Sequence, residues 1–162
     1  MTARAGTERA DAADDGPDDR AAADPFAPAP PQRRREARER AVELLYEAEM
    51  KGCDAAEIVA AQVLEVDRRA VDLVNGVSAG IEHIDERLGR FLADGWSVER
   101  LAACDRAILR QAIFELDAAV EPVAVVLNEA VVLAHRYGAT ERSAAFVNGV
   151  LAAVVRAAET AE

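Results

Sequence analysis

Lysine is almost missing from this chain: Lys51 is the only one, so its positive charge is carried by arginine. A Walker-type phosphate loop needs a lysine behind a glycine-rich turn, and no such stretch occurs. Cysteine is scarce as well. Cys53 and Cys104 stand too far apart for a metal knuckle, and two residues are too few for a disulfide framework. Aromatic residues make up 4% of the chain, and β-branched residues never alternate with polar ones over a strand length, which disfavours sheets. No apolar run approaches the roughly 18 residues that span a bilayer. The N-terminus is polar and acidic, unlike a secretory signal or a transit peptide. These absences predict a cytoplasmic, non-enzymatic protein with no cofactor, no metal and no membrane segment.

What is present is a hydrophobic content of 51%, supplied mostly by Ala, Val and Leu, which is enough for a core. The net charge of −11 argues against broad affinity for polyanions, but its distribution is uneven. Residues 1–32 set seven acids against three arginines. Residues 33–40 then set five arginines against two glutamates. One basic island in an acidic molecule predicts local, selective binding of a polyanion.

Residues 1–32 are rich in Ala, Asp, Pro and Gly and have no periodic apolar face, so a disordered acidic tail is expected there. Phe26, between prolines, reads as a loop residue or a docking spot. Tethered beside the arginines, the tail is placed to compete with RNA for them. Residues 33–162 read as one helical domain. The periodicity predicts a helix over 32–51 with a stripe of Ala37, Ala41, Leu44, Leu45 and Ala48. A second helix starts at Asp54, with Ile58, Val59, Val63 and Leu64 as apolar contacts. A long third helix spans about 67–93, loosened at Gly76 and Gly80, where another helix can come close. Ser97 opens a short turn, helices follow over about 103–118 and from Val123 to Tyr137, and a last one begins near 140–143. Asn148-Gly149 is a hairpin signal, but its flanks keep helical spacing, so the helix is expected to run through it. The fold class expected is all-α: about seven helices, arranged as two small three-helix bundles packed together.

His83, Asp85 and Glu86 sketch a metal site, but such groups on a helix surface are normally solvated. Glu129 and Asn148 lie near apolar faces and read as core hydrogen-bonding groups. Asp105 and Arg106 read as a charged first turn, and Phe146 as a core residue. The arginine row carries the functional signal. At 100° per residue, Arg34, Arg35 and Arg38 share an arc of about 100°, with Arg33 and Arg40 pointing elsewhere. Three guanidinium groups on one projecting turn can fork onto phosphates and stack on unpaired bases. A solvated helix start, with Glu36 and Glu39 pairing locally, explains the same pattern, and both readings stand at this point.

The ordered set RRREARERAVELLYEAE, DRAILRQAIFEL and EPVAVVLNEAVVLAHRYG…FVNGVL, over about residues 33–156, resembles the NusB family of bacterial transcription antitermination factors. The resemblance implies two three-helix bundles that bind the boxA element of nascent ribosomal RNA transcripts. It implies two partners: the small-subunit ribosomal protein NusE and an RNA polymerase antitermination complex. RNA contacts then fall on Arg33, Arg34, Arg35 and Arg38. Contacts with NusE fall on Tyr46, Asp105, Arg142 and Phe146. The family pattern places an acid immediately before the Ser that opens the last helix; here Arg142 holds that place and Glu141 stands one residue earlier. The same fold forms the N-terminal domain of ribosomal RNA cytosine methyltransferases, but no catalytic domain follows within these 162 residues. A homodimer through the apolar edge of the first helix is a further expectation. The competing expectation is a helical protein–protein adaptor without sequence-selective RNA binding.

Overall fold

Pro30 and Pro31 open the first helix, α1 (Pro30–Lys51), where proline's fixed φ suits the first turn and its missing N–H costs nothing. The computed structural model describes residues 30–161. The helix therefore takes in the last three residues of the expected tail; the remainder of that tail, Phe26 included, lies outside the described residues. Gly52, at φ 63°, turns the chain out of α1, and the Cys53 N–H closes the end on the Ala48 carbonyl at 3.1 Å. Two aspartates start the next helices. Asp54 accepts from the Ala56 N–H at 2.8 Å to cap α2 (Ala55–Ala60), and Asp67 accepts from the Arg69 N–H at 2.8 Å to cap α3 (Arg68–Ala79).

The expected long third helix is two helices. Gly80 (φ −103°, ψ 11°) ends α3 and begins α4 (Ile81–Gly89). The break has a packing cause. Ala70 and Val74 on α3 are buried in one apolar cluster, with Ala37, Ala41, Leu44, Ala48, Ala55 and Ile58 of α1 and α2. Ile84 and Leu88 on α4 are buried in another. One straight rod does not serve both, and glycine is a weak point for the bend. A 3₁₀ turn (Val98–Arg100) leads to α5 (Ala103–Ala118), α6 (Val123–Tyr137) and α7 (Ser143–Glu159), whose inner faces complete the second cluster. The architecture is thus all-helical, with seven helices among the described residues: a bundle of α1–α3 against a bundle of α5–α7 to which the short α4 adds. Helix α1 straddles the two, with Leu44 in the first cluster and Val42 in the second.

Close approach fixes two glycines. A Cβ on Gly76 would lie inside the Phe114 ring of α5, so the expected close approach is real at that position. A Cβ on Gly138 would overlap the Ala134 carbonyl and Ser143. The helix runs through Asn148-Gly149, as its flanks require. Four side chains depart from expectation. Val63 and Leu64 make no core, at 99% and 82% exposure, because α2 ends at Ala60 and the chain crosses to α3 outside the bundle. Asn148 is exposed, and Phe146 is 36% exposed, because α7 buries the neighbouring face of Ala144, Val147, Val150 and Leu151.

Candidate nucleic-acid interface

The arginines at the start of α1 do not stand free over solvent; three of them meet acids from the other bundle. Arg35 forks onto Glu129 of α6, Nε to Oε2 at 2.9 Å and Nη2 to Oε1 at 2.8 Å, while its side chain remains 47% exposed. Arg34 lies with Nε 3.3 Å from Glu121, in the α5–α6 connection. Arg38 points inward. It is 5% exposed, and Nε and Nη2 both engage the Glu115 carboxylate of α5, the shortest contact being 2.7 Å. Arg33 is exposed at the outer end of the row.

This geometry divides the expected set. One turn of helix brings Arg34, Arg35 and Arg38 together, but Arg38 follows Ala37 and precedes Ala41 and Val42 on the buried side of α1, where α5 packs. Its guanidinium is occupied by Glu115 and is not presented to an outside phosphate. Burial works against the charge of Arg38, but the hydrogen bonds and charge of Glu115 outweigh it, so its proton is held more firmly than usual. Arg35 likewise holds its proton more firmly, through the Glu129 hydrogen bonds and charge. The reverse side of that pair is a Glu129 carboxyl held below its ordinary range by the Arg35 hydrogen bonds, against the opposing effect of burial. Glu129 is therefore the core hydrogen-bonding group its position predicted. Arg33, Arg34 and Arg35 keep part of their side chains at the surface, as does Arg40, which pairs with Glu43.

The expected partner residues divide in the same way. Tyr46 is 39% exposed on α1 and Phe146 36% exposed on α7. Arg142 is exposed and stands immediately before α7. Asp105 is not at the surface. It is buried at the start of α5, where its carboxylate accepts from Ser143 Oγ at 3.0 Å and from the Ala139 N–H at 3.2 Å. It pins the α6–α7 turn that carries Arg142 and leads into the α7 turn bearing Phe146.

The sequence reading missed a second arginine node. Arg106 is buried and donates from Nη1 to three carbonyls, Val98 at 3.0 Å, Glu99 at 3.2 Å and Leu101 at 2.7 Å, while its other nitrogens bind Glu49 of α1. Burial and the neighbouring Arg110 make its proton easier to lose than usual. Arg110 forks onto Asp85 of α4 at 2.7 Å through both Nε and Nη2. The signal available was the pair of arginines four apart in DRAILR, interleaved with core aliphatics. The sketched metal site is not assembled. Asp85 is held by Arg110, Glu86 by Arg90, and His83 faces Asp117 at 3.7 Å. Among the described residues no group of three or more His, Cys, Asp or Glu side chains is placed to hold a metal ion. None of the described helices is long and apolar enough to cross a membrane.

These features define a class: a two-bundle helical protein whose first helix carries an arginine row at one end and joins both cores. The sequence pattern of the NusB family matches residues 35–156. The transcription antitermination protein NusB of Acidothermus cellulolyticus is 47% identical over 126 residues, spanning 75% of this chain and 86% of that protein. The solved structure of T. maritima NusB is similar at TM-score 0.68 and 32% identity, covering 76% of this chain and 90% of that one. A structure of antitermination factors NusB and NusE in complex with double-stranded RNA is similar at TM-score 0.67 and 29% identity, covering 78% of this chain and 98% of that one. The chain belongs to the NusB family.

Proposed function

We propose that this protein is a non-enzymatic, cytoplasmic transcription antitermination factor. In this reading it binds boxA RNA of nascent ribosomal RNA transcripts together with a NusE-type ribosomal protein, and delivers both to an RNA polymerase complex. One observation carries the reading: Arg34 and Arg35, with Arg33, form the accessible end of α1 in a chain of the NusB family, and a relative of that family has been solved with NusE and RNA. Guanidinium forks suit phosphates, and their planes suit unpaired bases. Tyr46, Arg142 and Phe146 form the proposed protein-facing set, away from the arginine end of α1.

The test is a titration of single-stranded boxA RNA and of a scrambled sequence, each with and without the NusE-type protein. Selective binding that strengthens with the partner supports the reading. Equal affinities for both RNAs would leave a helical adaptor instead. Replacing Arg34 and Arg35 with Gln should flatten the salt dependence by about 0.7 for each single-strand phosphate that is no longer neutralised.

A further inference from the structure

Beside Arg34 the surface opens into a groove of about 350 Å³, bounded by the starts of α1 and α3 and by the α5–α6 connection. Its walls are apolar at Leu73, Phe114 and Val120, the last of them 79% exposed. Arg34 stands on one bank and Arg69, at the start of α3, on another. Arg69 is exposed, and among the described residues no carboxylate lies within ion-pairing distance of its guanidinium; Asp72, one turn on, is taken by Arg68 at 3.2 Å. Arg34 is tied more loosely than its neighbours. Its 3.3 Å approach to Glu121 is longer than the shortest arms of the Arg35 and Arg38 forks, at 2.8 and 2.7 Å, and Glu121 itself is partly exposed. Helix α3 thus adds a cation to the arginine end of α1, across an apolar slot.

We infer that this groove receives one unpaired base of a single-stranded RNA, with Arg34 and Arg69 holding the phosphates on either side of it. The inference rests on the RNA reading above and adds to it a subsite and a residue, Arg69, that the α1 row does not contain. The chemistry is that of single-strand recognition: the flat face of a base lies on aromatic and aliphatic side chains while guanidinium groups neutralise its flanking phosphates. The volume is at the small end for a ligand pocket and suits a flat heterocycle. A base stacked and paired within a duplex does not enter such a slot, so the groove selects for single strands.

The experiment places 2-aminopurine at each position in turn of a single-stranded boxA oligonucleotide and follows its emission on binding to the full chain. One position is expected to respond. Arg69→Gln should weaken binding several-fold and reduce the salt slope by about 0.7, the change that goes with one phosphate left without its cation. Val120→Asp, at an exposed position, should abolish the emission change while the thermal melt stays as in the parent. Wild-type affinity and slope in Arg69→Gln, alongside loss of both in Arg34→Gln, would overturn the subsite and leave the RNA reading intact. Equal competition by a duplex would do the same, and would leave a protein segment as the occupant of the groove. No binding of single-stranded RNA by the parent protein, with or without a NusE-type partner, would overturn both.

Discussion

Arg38 and Glu115 lie 77 residues apart in sequence, on α1 and α5, and meet in a forked ion pair whose side chains are 6% and 10% exposed. The pair ties the two bundles together at the arginine end of α1, directly beneath Arg34 and Arg35. Burying two charges costs desolvation, so the intact pair adds little net stability, whereas removing one partner strands the other. Arg38→Ala should therefore lower unfolding stability by about 3 kcal/mol or more, measured by urea titration. Arg38→Met combined with Glu115→Leu should recover most of that loss. Any RNA-binding defect in Arg38→Ala should also be recovered by the double variant. A defect that persists in a stably folded double variant would return Arg38 to the RNA-contacting set.

The Arg35–Glu129 pair makes a pH prediction of definite sign. Glu129 is held below its ordinary value of 4.5 in the folded protein by the Arg35 hydrogen bonds. A depressed carboxyl stabilises the fold above its unfolded value, and that contribution disappears as the pH falls through the folded value. Stability of the parent should thus decline from about pH 5 downward, while Arg35 stays ionised throughout. Glu129→Gln should show a shallower decline over the same range. The two melting curves should converge at the acid end, and parallel curves would mean the pair has no role in acid stability. Because Arg35 is about half exposed, solvent and salt screen the pair and the difference should shrink in added salt.

Gly76 tests the packing of α3 on α5. Alanine is the better helix former by about 1 kcal/mol, so propensity alone predicts that Gly76→Ala stabilises. The overlap with the Phe114 ring opposes it, because the new methyl occupies space the ring already fills. Relief requires Phe114 to swing out of its half-buried place or α3 to shift, and overpacking of this kind costs about 1–3 kcal/mol. Net destabilisation is expected, by thermal melting. Gly76→Ala combined with Phe114→Leu should regain part of it.

The helices were legible because apolar residues recur at 3.6-residue spacing and because Asp54, Asp67 and Gly52 punctuate them with local chemistry. The break at Gly80 was not, since it is set by which bundle claims Val74 and which claims Ile84, a choice made across the whole fold. The arginine row was legible as a row. Its division into Arg35 half outside and Arg38 wholly inside was not, because the deciding partners, Glu129 and Glu115, arrive from α6 and α5. Asp105 and Arg106 show the same limit from the other side. A helical first turn rich in charge ordinarily faces water, and only the return of α7 and of the Val98–Leu101 backbone makes these two side chains buried fasteners. Phe146 was misread as core for a related reason: its spacing fits α7, but the buried face of that helix is already filled by Val147, Val150 and Leu151.

Asp105 and Phe146 finally separate a residue that positions a surface from one that forms it. The Asp105 carboxylate satisfies Ser143 Oγ and the Ala139 N–H, both at the turn that launches α7. Asp105→Ala leaves those donors unpaired in a part-buried site, at a cost of about 1–3 kcal/mol. It should lower the melting temperature and weaken binding of a NusE-type protein together, because the turn carrying Arg142 and Phe146 loosens. Phe146→Ala removes a side chain that is already 36% exposed and should leave the melt close to that of the parent. If Phe146 meets the partner, calorimetric titration should nonetheless show affinity reduced tenfold or more, the scale of an aromatic anchor at an interface, about 1.4 kcal/mol or above. Tyr46→Ala, exposed to a similar degree on α1, should behave like Phe146→Ala. Unchanged partner affinity in both variants, with both stably folded, would move the protein-facing surface away from this edge of α1 and α7.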